Sequence, residues 1–146
     1  MSDSSFMMSR VRVAMILHGA LMMGVMAFGG IMAMLARAPG RSPGMVMNPP
    51  YLAELLAWGA CSLGIVAAVV LRRVRVGLEG MDEARRVAQW FNKIVISAAI
   101  MEGGALLACV LTLLTGDLTL LGAPLMVVVA MGLLFPTPER CRDWIR

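Results

Sequence analysis

Ile94 to Leu114 reads IVISAAIMEGGALLACVLTLL, twenty-one residues with one acidic side chain, Glu102, near the middle and no basic one. As a helix rising ~1.5 Å per residue, the run reaches about 31 Å and can cross the ~30 Å hydrocarbon core of a bilayer. An acid at the centre of such a helix costs about 2.5 to 3.5 kcal/mol on insertion scales. Two roles account for its presence. Glu102 exchanges a proton or binds a small cation, or it stays neutral and hydrogen-bonds to another helix, across a subunit interface included. No second acid and no Asn/Gln/Ser cluster accompanies it in the run.

The composition of the chain supports a membrane setting. Sixty per cent of 146 residues are hydrophobic, more than a fold of this size can hide from water. The net charge of +4 does not mark a nucleic-acid interface, because the basic residues sit in short segments flanking apolar runs with few aromatics between them. Cys61 and Cys109 fall inside apolar runs and Cys141 in the tail, without a CxxC or a Cys/His cluster. They read as small buried side chains, and no metal or cofactor is expected.

Four apolar runs organise the chain as a single transmembrane domain, with spans near 13–35, 52–71, 94–114 and 118–135. The first follows a polar start ending in Arg10 and Arg12. Ala36-Arg37-Ala38 has the form of a signal-peptidase site, but the preceding run is longer than a signal h-region and Pro39 would follow the cut, so a span is the better reading. Residues 36–51 carry Pro39, Pro43, Pro49 and Pro50 with Gly40 and Gly44 and form a loop outside the hydrocarbon. Glu54 sits in the first turn of the second run, where a carboxylate suits the helix dipole. Residues 72–93 form a basic loop from which Asp82 starts a helix running unbroken through Trp90 into the third span. Gly116 provides a left-handed cap and Asp117 caps the next helix, making the third and fourth spans a hairpin. Pro124 is best tolerated if the regular part of the fourth helix begins near Ala123 or bends there. In the tail, 136–146, Thr137 caps a short amphipathic helix with Pro138 at its first position, and Trp144 and Ile145 face the membrane surface.

Eleven of the thirteen basic residues lie in the N-terminal segment, the middle loop and the tail; only Arg37 and Arg41 lie in the first loop. The positive-inside rule then puts both termini in the cytoplasm and the 36–51 loop outside, as in a bacterial inner-membrane protein. Arg72, Arg73 and Arg75 mark the cytoplasmic interface, with Trp90 and Trp144 in the aromatic belt.

Helices in lipid gain no hydrophobic drive from touching, so close contacts need small residues. Ala53, Ala57, Cys61, Gly64 and Ala68 draw such a stripe on the second run. Ala98, Ala105, Cys109, Thr112 and Gly116 draw one on the third, with Glu102 in it, and Ala20, Gly24, Ala27 and Gly30 draw one on the first. His18, the single histidine, lies shallow in the first run, within reach of headgroups, and is the second candidate for proton handling after Glu102. The fifteen methionines read as packing material.

The segment Ala99 to Leu111, AIMEGGALLACVL, resembles the carboxylate helix of the proteolipid (c) subunits of rotary ATP synthases: an acid, small residues, then an aliphatic stretch. The resemblance extends over residues 52–114, a helix in, a basic loop and a helix out. It implies that Glu102 is an ion-carrying acid in an oligomeric ring. The second run lacks that family's alternating glycines, the middle loop lacks its Arg-Gln-Pro signature, and helices stand on both sides.

These features predict an all-α integral membrane four-helix bundle of two hairpins, with both termini cytoplasmic. No nucleophile–base pair, metal set or phosphate loop suggests an enzyme. The expected partners are lipid and either a second copy of the chain or other membrane subunits. The expected role is a non-enzymatic homo-oligomer or accessory subunit; proton or cation translocation through Glu102 is the alternative.

Overall fold

A computed structural model describes residues 3–39, 51–74 and 80–145, and these are helical apart from short turns. Helix α1 runs Asp3–Ala36, α2 Leu52–Arg73, α3 Glu83–Thr115, α4 Gly122–Leu133 and α5 Pro138–Ile145, with a 3₁₀ turn at Leu118–Leu121 ahead of α4. The first three are long and apolar enough to cross a membrane, and the chain is a multi-pass helical membrane protein. The Pro/Gly-rich loop apart from its two ends, and Arg75 in the middle loop, lie outside the described residues.

The ends of α3 follow from side-chain chemistry. Asp82 accepts the Arg85 backbone N–H at 2.9 Å, satisfying one of the donors a helix start leaves free. The helix then continues for 33 residues. That is about 50 Å, well beyond the hydrocarbon thickness, so one end projects. Gly116 ends it with φ +74°, a conformation that strains residues bearing a Cβ. Asp117 accepts from both the Thr119 N–H (2.9 Å) and the Thr119 hydroxyl (2.7 Å), which winds the 3₁₀ turn.

In the fourth span the regular helix starts at Gly122, next to the start near Ala123 that Pro124 implies. Pro124 is tolerated because it sits in the first turn of α4, which has only 12 residues. With the 3₁₀ turn, Leu118–Leu133 covers roughly 26 Å, and the chain bends by 69° into α5. Leu118–Leu133 and α5 thus form a bent pair rather than a straight fourth span.

The polar N-terminal segment is also helical, so that α1 begins well ahead of the first apolar run. Met7, Val11, Ala14 and His18 recur at four, three and four residues and are buried, so one face of this extension packs on the protein. It meets Val87, Trp90, Ile94, Cys141 and Trp144 in a cluster at the projecting end of α3. The start of α1 and the end of the chain thus lie at the same end of the bundle.

Helix α3 is central, and the two-hairpin expectation is corrected accordingly. α1 packs on one side of α3 and α2 on another, but α1 and α2 do not meet among the described residues; α4 lies against all three. The tight Gly116 link keeps α3 and α4 together, whereas the long 36–51 connection lets α2 cross to the other side of α3. α2 runs antiparallel to α3, with Gly64 over Ile100 and Gly104 over Ala60. α1 runs parallel to it, with Gly24 beside Glu102 and Gly29 beside Cys109. The main core is built from small and medium side chains, among them Ala57, Cys61, Ala68, Met101, Ala105, Ala108, Leu120, Val127 and Met131.

Candidate functional site

The small-residue stripes have different fates. Ala53, Ala57, Cys61, Gly64 and Ala68 are all buried, as are Ala98, Ala105, Cys109 and Thr112. The α2 and α3 backbones touch between them: a Cβ on Gly64 would fall 3.3 Å from the Ile100 carbonyl oxygen, and one on Gly104 only 2.9 Å from that of Ala60. Gly104, absent from the stripe read on α3, is the tightest point. Ala20, Gly24, Ala27 and Gly30 on α1 are all exposed, and Gly24 touches no helix backbone.

Glu102 lies at the edge between these two situations. It is half-buried, and a Cβ on Gly24 would sit 3.7 Å from its Oε1. Its carboxyl makes no hydrogen bond or ion pair with the described residues. Exposed Ala99 and Gly103 stand beside it on α3. The acid therefore opens onto a shallow, small-residue face shared by α1 and α3.

His18 occupies a different place from the one expected. It is fully enclosed rather than in reach of headgroups, because the α1 face carrying Val11 and Ala14 continues through it. Its Nε2 lies 2.9 Å from the Met131 carbonyl oxygen and so carries the proton. Its ring meets Phe135 edge-on at 5.4 Å, and Nδ1 has no partner. Glu102 meets α1 at Gly24, six residues or about 9 Å farther along the axis. The two titratable groups are not brought together.

A second constellation gathers around the bend between α4 and α5. Arg72, at the end of α2, donates through Nε to the Ser97 hydroxyl at 2.7 Å and through Nη1 to the Leu134 carbonyl. Ser97 in turn donates to the Ile94 carbonyl at 2.9 Å. Arg140 donates to the Leu133 and Phe135 carbonyls at 2.9 and 3.2 Å, and Lys93 to the Val74 carbonyl. Together with Trp90, Ile94, Leu134, Pro136 and Trp144, these three cations line a cavity of about 190 Å³. Arg73 is exposed nearby in sequence.

Trp90 and Trp144 also depart from the expected lipid-facing belt. They are 4% and 7% exposed, because the tail docks on α3 and α1. Cys141 and Trp144, three residues apart, form the buried face of α5. Burial pushes the Cys141 thiol up to about 11. Thr137 and Pro138 begin the helix as expected, the Thr137 hydroxyl accepting the Arg140 N–H at 3.3 Å.

No family model, curated protein or solved structure matches this chain. Its function has to be argued from these residues. Ser97, Lys93 and Arg140 are the site residues that the sequence reading passed over. Ser97 had a signal, being a hydroxyl early in an apolar run; Lys93 and Arg140 looked like ordinary interfacial charges. Among the described residues no group of three or more His, Cys, Asp or Glu could hold a metal ion.

Proposed function

We propose that this chain is a non-enzymatic, multi-pass membrane protein that associates with a second copy or with another membrane subunit through the α1/α3 face, with Glu102 supplying a hydrogen bond across that contact. The observation that carries the reading is the unpartnered carboxyl of Glu102 beside an exposed run of small residues, Ala20, Gly24 and Ala27. The equivalent residues of α2 and α3 are consumed inside the protein, so the α1 set is what remains for contact outside it. A helix laid on that face can approach closely. It would also cover a polar group that lipid cannot satisfy. The bias of basic residues assigns the end carrying both termini to the cytoplasm.

Association state in mild detergent tests this. Wild-type protein is expected to run as an oligomer or with a co-purifying subunit; Glu102→Leu is expected to weaken the assembly by about 0.6 to 2 kcal/mol, the span of values for interhelical hydrogen bonds in membranes, and Gly24→Leu to weaken it by blocking close approach. A lone wild-type monomer that co-purifies with nothing would sink the proposal.

Proton or cation carriage through Glu102 is the second reading, favoured by the partial exposure of its carboxyl. It expects a carbodiimide to label Glu102 and Glu102→Gln to abolish ion flux with assembly intact. Unchanged flux in that variant would remove it.

A further inference from the structure

The cavity at the α4–α5 bend has a charge imbalance that its own hydrogen bonds leave uncorrected. Arg72, Lys93 and Arg140 bring three positive charges to its walls, and among the described residues no carboxylate lines it. Their protein acceptors are the Leu133, Leu134, Phe135 and Val74 carbonyls and the Ser97 hydroxyl. Cations at a helix C-terminus cap its free carbonyls, but each end carries only about half a negative charge, and the two ends that meet here, of α4 and of α2, together offset about one of the three cations. Nη2 of Arg72, moreover, is buried and has no acceptor among the described residues.

We propose that this cavity binds a phosphate group. Two guanidinium groups and an ammonium offer the forked and point donors that phosphate oxygens accept. The volume of about 190 Å³ equals that of roughly six waters at ~30 Å³ each, so a phosphate with its ester oxygens has room. The remaining wall is apolar, made by Trp90, Ile94, Leu134, Pro136 and Trp144, and suits the glycerol and upper acyl carbons of a phospholipid. Depth agrees with that source: Arg72 closes the apolar run of α2 and Ile94 opens that of α3, so the cavity lies at the level where headgroup phosphates are concentrated. Lys93, 5.3 Å from the centre of the Trp144 ring, ties the cation set to the docked tail. Occupancy would thereby hold α5 in place.

The full-length protein in dodecylmaltoside micelles, titrated with phosphatidylglycerol, diacylglycerol or inorganic phosphate and followed by tryptophan fluorescence, tests the site. Trp90 and Trp144 line the cavity and report on it directly. Saturable binding of phosphatidylglycerol is expected, with diacylglycerol, which lacks the phosphate, at least about tenfold weaker and the double variant Lys93→Gln/Arg140→Gln weaker by a similar factor. Arg72 is left intact because it also holds Ser97. Lipids retained in native mass spectrometry give a second readout. Displacement of the lipid by inorganic phosphate would place recognition in the phosphate alone, and no displacement would place it in the lipid; either result supports the site. Equal binding of the two lipids, or unchanged binding by the double variant, would overturn it.

Discussion

The middle of the bundle and its projecting end are held together by opposite means. Between α2 and α3 the contact is made by Ala57, Ala60, Cys61, Gly64, Ala98, Gly104 and Ala105, and a Cβ on Gly104 would fall 2.9 Å from a carbonyl oxygen. At the other end, Met7, Val11, Trp90, Ile94 and Trp144 fill the space between α1, α3 and α5. The surrounding solvent explains the difference. Lipid gives no reward for burying a large apolar side chain, so helices hold by close backbone approach. Water rewards it at about 25 cal/mol per Å², and the end that leaves the membrane uses aromatics and an amphipathic helix. The same sequence thus follows two packing rules, and α3 obeys both along its length.

The largest effect is expected where the rule of close approach is most absolute. Gly104→Leu should separate α2 from α3, and Gly104→Ala should already cost about 1 to 3 kcal/mol by overpacking. A Cβ on the neighbouring Gly103 has nothing within 4 Å, so Gly103→Ala should leave monomer stability unchanged. Unfolding in mixed detergent, followed by circular dichroism, measures the three. Equal losses at 103 and 104 would mean that the α2–α3 contact is not the one described.

After Gly104→Leu, and above Gly104→Ala, comes the projecting end, where removing a large ring should cost about 3 to 5 kcal/mol by the rule for aqueous cores. Trp144→Ala is expected to release α5 without loosening the spans. Limited proteolysis should then cut near residues 134–138 in the variant and leave the wild type whole. Loss of the membrane helices together with α5 would show that the two regions are one cooperative unit.

What was legible in the sequence divides along the same line. Asp82, Gly116, Asp117 and Thr137–Pro138 act within a few residues of themselves, so their positions could be read from local chemistry. The α2 stripe could also be read, because small residues at helical spacing in an apolar run have few other uses. Gly104 could not be distinguished from Gly103, since which one meets a backbone depends on where α2 lies around α3. The burial of His18, Trp90 and Trp144 depends on residues from the start, middle and end of the chain meeting. No local pattern carries that information. The start of α4 could be read from Pro124, but the 69° bend into α5 could not, because it depends on where the tail docks.

The smallest effect is a chemical one at the same docked tail. Cys141 is fully buried, and its thiol is held up to about 11 against an ordinary value of 9.0, chiefly by burial. In the undocked tail the thiol ionises at the ordinary value while the docked one does not. Between pH 9 and 11 the undocked state therefore binds fewer protons, and docking weakens as pH rises through that window; below pH 9 both states are protonated and docking is insensitive to pH. Since the thiolate is the nucleophile, iodoacetamide at pH 8 should modify Cys141 slowly in the wild type and rapidly in Trp144→Ala. Cys61 and Cys109, buried between membrane helices, should stay unmodified in both. Fast labelling of wild-type Cys141 would indicate that α5 spends much of its time undocked, and the contrast between the membrane contact and the water-facing cluster would then lie in lifetime as well as in packing.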